Sequence, residues 1–251
     1  MNEFVSIDRV LAKLDSYFSV NDYAGAERHL KYWLDEAISI HDLKAALTLC
    51  NELIGLSRKI GKKEQTFAYT DRALEMLKCL EIESSIGAAT TYINVATAYK
   101  AFGEAARSLP LFEQAERIYE SDLSESDARL GGLYNNFALA LVDVNDFEKA
   151  YKYYRKAIAV MEKVDGGELE SAITYLNIAS ACELEKGLVD ADEYIADNLK
   201  KAEELLDVHQ NSLDGYYAFV CEKCASVFGY YGHFAYEKEL LERAKKIYER
   251  S

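Results

Sequence analysis

Apolar residues recur at spacings of three and four along almost the whole chain, which puts them on one face of an α-helix rather than alternating across a strand. Breaks are few, with one proline and 13 glycines. The breaks are themselves periodic. A glycine or asparagine falls at Asn21, Gly61, Gly103, Asn145, Gly187 and Gly232, at intervals of 40, 42, 42, 42 and 45. A helix is expected before each of them (the A helix) and after each (the B helix). The spacing predicts helices over 8–19 and 22–38, 42–60 and 63–80, 84–102 and 105–121, 126–144 and 146–162, 168–186 and 188–207, and 211–231 and 234–250. Asp42, Ser84 and Ser212 stand where N-caps are wanted, since their side-chain oxygens can accept from the open amides of a first turn.

A fixed period near 42 residues indicates a stack of like units. The segments YINVATAYKAFGEAARSLPLFEQAERIY, from Tyr92, and YNNFALALVDVNDFEKAYKYYRKAIAVM, from Tyr134, pair Asn94 with Asn136, Ala96 with Ala138, Gly103 with Asn145, Phe112 with Tyr154 and Ala115 with Ala157. Small residues keep the register. Ala96, Ala138 and Ala179 lie seven or eight before the loop residue, and Ala73, Ala115, Ala157 and Ala244 lie twelve after it. Alanine there lets two helix axes approach while a neighbouring aromatic fills the gap. The expectation is an all-α solenoid, one domain over 1–251, with repeats at about 8–38, 42–80, 84–121, 126–162, 168–207 and 211–250.

These residues resemble the tetratricopeptide repeat, and the long period with NNFALALVDVNDFEKAYKYYRKAIAV is similar to the variety found in kinesin light chains and many bacterial adaptors. SLPLF, with Pro110 early in a B helix, fits that variety. The ends depart from it: Trp33 stands where the first unit should have alanine. In the fifth unit Ala202 lies 15 rather than 12 residues after Gly187, so a longer B helix is expected there. The resemblance implies a right-handed superhelix whose A helices line a concave surface. The repeats start near the first residue, so no preceding effector domain is expected.

Asn94 and Asn136 lie nine residues before their loop residues, and Asn51 and Asn177 ten before theirs. Stacking would set them in a row. An amide offers donor and acceptor together, so a row of asparagines can hold an extended peptide backbone, as similar rows do in tetratricopeptide proteins. The competing reading is that these amides bond neighbouring helices within the stack. Thr90, Ile93, Thr97, Lys100, Asn135, Leu139, Val142, Asp143, Leu176, Ser180 and Glu183 would share the asparagine face. Chaperone-binding relatives hold a terminal carboxylate with lysine and arginine where this chain has Ile93, Asn135 and Leu176, so a chaperone tail is not the expected ligand. The expected function is a non-catalytic scaffold or adaptor for a peptide or protein segment. The alternatives are a peptide-responsive regulator acting through a partner, or a structural subunit of a larger assembly.

Charge narrows the partner. A formal net charge of −14 and a pI near 4.8 favour a neutral or basic peptide and disfavour nucleic acid and anionic membrane. No stretch approaches the roughly 20 apolar residues of a spanning helix, and the start reads as an amphipathic helix rather than a signal peptide, so a cytoplasmic location is expected. Five scattered cysteines suit reduced thiols. Cys221 and Cys224 form a CxxC with His233 nearby, but a helix would put both thiols on an apolar face, so they read as core and no metal is expected. His29, His41, His209 and His233 pair with no nucleophile, and the glycines form no phosphate loop. No enzyme and no cofactor are expected. The aromatic cluster from Tyr216 is expected to pack the last helical pair, and any rings left exposed would suit a homodimer through the C-terminal helices.

Overall fold

The computed structural model describes residues 4–250. They form twelve helices in chain order: α1 Ile7–Phe18, α2 Tyr23–Ser39, α3 Leu43–Lys59, α4 Lys63–Cys79, α5 Ile86–Ala101, α6 Ala105–Asp122, α7 Ala128–Asp143, α8 Phe147–Met161, α9 Glu168–Lys186, α10 Asp192–Val208, α11 Gly215–Tyr230 and α12 Phe234–Tyr248. No strand occurs among the described residues. The fold class is an all-α solenoid of helix-turn-helix repeats.

All six loop residues read from the sequence have positive φ, from 56° at Asn21 to 85° at Gly232. The reason is local. A left-handed residue just past a helix lets the next N–H turn back to the carbonyl five residues earlier. Asp22 reaches Tyr17 and Lys62 reaches Ser57 at 2.9 Å, as do Glu104 to Tyr99, Asp146 to Leu141 and His233 to Phe228. His41 and Glu81 do the same between pairs, at φ 61° and 55°. Where the reversing residue is followed by aspartate, one dipeptide both ends a helix and caps the next: Asp22 accepts from Gly25 N at 2.8 Å, Asp42 from Ala45 N at 3.1 Å and Asp146 from Lys149 N at 3.2 Å.

Two expected caps shift. Ser85, not Ser84, caps α5 by accepting from Ala88 N, and Asp214, not Ser212, caps α11 by accepting from Tyr216 N. Ser212 accepts instead from Asp214 N, inside the turn that leads to the cap. The expected lengthening of the fifth B helix is also corrected. α10 begins ten residues before Ala202, just as α6 and α8 begin ten before Ala115 and Ala157, so the three additional residues lie in the connector.

The helices fall into two compact units, one ending at Asp122 and one starting at Leu123. In the first, α1 packs on α2, α3 on α4 and α5 on α6, while α3 and α4 also receive α5. In the second, α7 packs on α8, α9 on α10 and α11 on α12, with α9 against both α7 and α8 and then against α11. The small residues sit where helices meet: Ala73, Ala96, Ala115, Ala138 and Ala179 have no exposed surface, and Ala157 and Ala244 have 1 %. Beside Ala115 and Ala157 the gaps are filled by Phe112 and Tyr154, both fully buried. Cys221 and Cys224 lie in the core of the second unit with Val220 and Phe228, which is where helical spacing puts them.

Candidate functional site

The asparagines of the A helices are bonded in two like arrangements, one in each unit. In the first, Asn94 Nδ2 on α5 donates to Asn51 Oδ1 on α3 at 3.0 Å, while Asn51 Nδ2 donates to Thr91 Oγ1 at 3.0 Å and to the Leu47 carbonyl at 3.1 Å. In the second, Asn177 Nδ2 on α9 donates to Asn135 Oδ1 on α7 at 2.9 Å, and Thr174 Oγ1 donates to the same oxygen at 3.3 Å. Thr91 and Thr174 are buried, and each also donates to the carbonyl four residues before it. Asn136 instead donates to the Gly132 carbonyl of its own helix at 2.9 Å.

The geometry separates these residues by what they have left to offer. Asn51 is engaged through Oδ1 and both Nδ2 hydrogens. Asn94, Asn136 and Asn177 are half-buried, and each keeps an Oδ1 and one amide hydrogen outside any hydrogen bond among the described residues. Thr97 and Ser180 are half-buried and donate to the carbonyls of Ile93 and Leu176 on their own helices. Lys100 and Leu139 are half-buried, and Asp143 is exposed at the end of α7. Val142 and Leu176, expected on the asparagine face, are core residues, with 6 % and 3 % exposure. On helices this closely packed the face that meets the next pair and the face left open are about one residue position apart, and sequence spacing alone does not divide them.

Thr91 and Thr174 are the ladder members that sequence reasoning missed. The signal was present as a shared tetrapeptide, Thr91-Tyr92-Ile93-Asn94 and Thr174-Tyr175-Leu176-Asn177. A threonine three residues before asparagine lies on the same helical face, so both reach the same asparagine on the preceding A helix, Thr91 as acceptor from Asn51 and Thr174 as donor to Asn135.

Tyrosines hold the acidic groups of α9. Tyr230 and Tyr231 donate to the two oxygens of Glu183 at 2.7 and 2.8 Å, and Tyr216 donates to Glu170. Burial first, and then the hydrogen bond to the carboxylate, raise the Tyr216 and Tyr231 phenols, while at exposed Tyr230 the Glu183 bond itself is the main cause. Among the described residues no three of His, Cys, Asp and Glu are placed to hold a metal ion. No described helix is long and apolar enough to cross a membrane.

Paired helices with A helices bonded from one pair to the next define a helical-repeat protein. Residues 131–166, which span α7 and α8, match the tetratricopeptide repeat family. Among solved structures, the putative kinesin light chain TPR-like repeats of Podosopora anserina share 15 % identity at a TM-score of 0.55, over 80 % of this chain and 94 % of that one. BtubC (BKLC) of P. vanneervenii shares 18 % identity at a TM-score of 0.52, over 97 % and 91 %. A Rap protein complexed with competence and sporulation factor shares 15 % identity at a TM-score of 0.66, over 98 % of this chain and 65 % of that one. No curated protein matches by sequence. The fold is therefore that of tetratricopeptide repeats, similar to those of the kinesin light chain structures.

Proposed function

We propose that the chain is a non-catalytic scaffold or adaptor whose A helices hold an extended peptide or protein segment. The observation that carries this reading is the unused hydrogen-bonding capacity of Asn94, Asn136 and Asn177. The ladder bond fixes the rotamers of Asn94 and Asn177, so those side chains lose little entropy when they bind. The remaining carbonyl oxygen and amide hydrogen match a peptide N–H and C=O, and affinity comes from repeated backbone contacts rather than from one pocket. Thr97, Lys100, Asn135, Leu139, Asp143 and Ser180 set side-chain preference. The net charge of −14 steers a neutral or basic segment to the surface. Asn51 contributes by holding Asn94.

Capture from source-cell lysate by the wild type and by a folded Asn94→Ala, Asn136→Ala, Asn177→Ala variant, read by mass spectrometry, tests the proposal. A partner retained by the wild type and lost by the variant supports it. Equal capture by both removes these asparagines from the site. The alternative, a peptide-responsive regulator, draws support from the likeness to the Rap protein in its complex with competence and sporulation factor. It requires that peptide binding change the accessibility of helices remote from the asparagines, which hydrogen exchange with and without the captured peptide measures.

A further inference from the structure

The fifth repeat is three residues longer than the third and fourth, and the excess is a looped-out turn. The helix end before it is closed differently from the others. Gly187 has φ 81° and ψ 156°, outside the left-handed helical region, and its own N–H bonds the Glu183 carbonyl at 2.8 Å. The chain then runs out through Leu188, Val189 and Asp190 before α10 begins. Leu188 is 53 % exposed, and Val189, at 86 %, is the most exposed large apolar side chain among the described residues. Two apolar residues added to a connector and left in water contribute nothing to the core. An exposed apolar cluster of this kind marks an interaction surface.

Beside the turn a cleft of about 460 Å³ opens between α10 and the α11–α12 turn. Leu188, Ile195 and Leu199 line it on one side, Tyr230 and Tyr231 on the other, and Asp192 at its edge. Tyr230 and nearby Phe234 are each 69 % exposed, which extends the apolar rim. Carboxylates predominate around it, with His233 also in its lining. Asp190, Asp192 and Glu193 form no ion pair among the described residues, and the adjacent Lys186 sits over the Tyr194 ring at 3.9 Å. First-turn carboxylates favour a helix N-terminus, which accounts for Asp192 and Glu193 but not for Asp190 or for the apolar residues beside it.

We propose that this cleft and its inserted turn dock a cationic amphipathic segment of a partner protein. An apolar side chain of the segment packs on Leu188, over a cleft floor formed by the core residues Ile195 and Leu199. A neighbouring lysine or arginine lies against Asp192 and the faces of Tyr230 and Tyr231, where carboxylate and ring attract the same charge. The site uses none of the asparagines and stands independently of the peptide reading above.

The test measures fluorescence anisotropy of a labelled Lys-Leu-Leu-Lys-Leu-Leu-Lys peptide, and of its counterpart with glutamate for lysine, on the full chain. The lysine peptide is expected to bind at least about tenfold more tightly than the glutamate peptide. Its affinity is expected to fall about tenfold in a Leu188→Ser, Val189→Ser variant and to weaken in Asp192→Asn. The Asn94→Ala, Asn136→Ala, Asn177→Ala variant is expected to bind it like the wild type. Should the serine variant lose its helical circular dichroism, deletion of residues 188–190, which restores the turn length of the neighbouring repeats, is the deciding variant. Equal affinity for the two peptides, no binding by the wild type, or unchanged affinity in the folded turn variant overturns the proposal.

Discussion

Tyr154 buries a hydroxyl that has no hydrogen-bond partner among the described residues, in a slot that the preceding repeat fills with Phe112. Burial pushes its phenol well above the ordinary tyrosine range, with Asp143 and Cys182 adding to the effect. A buried unpaired hydroxyl costs on the order of 1–3 kcal/mol. Tyr154→Phe keeps the ring and removes the cost, so it is expected to stabilise the chain by about 1 kcal/mol, as a higher urea midpoint at unchanged slope. The same accounting separates the asparagines. Their spacing was legible in the sequence, but their roles were not, because Asn51 and Asn94 are alike in type and differ only in how many of their polar atoms the neighbouring helix engages.

At the scale of the element, the turns are where the sequence was most readable. Left-handed closure suits glycine and asparagine and is found at five of the six loop residues, Gly187 being the exception, and residue type together with the period located all six. The two non-glycine residues of positive φ outside those six show what was not readable: His41 and Glu81, at φ 61° and 55°, close their helices through the same local hydrogen bond although their residue types do not signal it. A non-glycine residue there costs roughly 1–2 kcal/mol. Glu81→Gly is therefore expected to raise stability by about 0.5–1 kcal/mol after the entropy of glycine is subtracted, whereas Gly103→Ala, at φ 79°, lowers it by about 1 kcal/mol. Thermal unfolding of the pair checks the sign; a loss of stability in Glu81→Gly would show that its side chain has a compensating role. The fifth connector was misread for a related reason. A three-residue excess between fixed points fits a longer helix or a longer turn equally well until the start of α10 is known.

At the scale of the whole molecule, the acidic balance has a structural counterpart in the first unit. Glu27 on α2 pairs with Lys31 on its own helix and with Lys62 at the start of α4, both at 2.7 Å. The hydrogen bond from Lys31, followed by that from Lys62, holds the carboxyl below its usual value, against the opposing effect of burial. A depressed folded-state value contributes stability above the unfolded carboxylate range, near 4.5, that is lost as the pH falls through the folded value. Glu27→Gln is accordingly expected to be less stable than the wild type at pH 7 and to converge with it on acidification. Urea midpoints between pH 7 and 3 measure this, and a constant difference across that range would assign the effect to packing.

By itself the sequence determined the helical class, the period, the residues that reverse the chain and the alanines that let helices approach. Each of these depends on backbone conformation or on the size of one side chain, and both are properties of residue type. Tertiary structure decided which polar atoms remain available. Thr91 and Asn94 meet Asn51, Thr174 and Asn177 meet Asn135, and Asn136 turns back on its own helix, through contacts between residues about 40 apart in two of the three cases. It also decided that Leu188 and Val189 stand in water beside a cleft rather than in a helix, because exposure is set by what packs around a residue and not by its hydrophobicity.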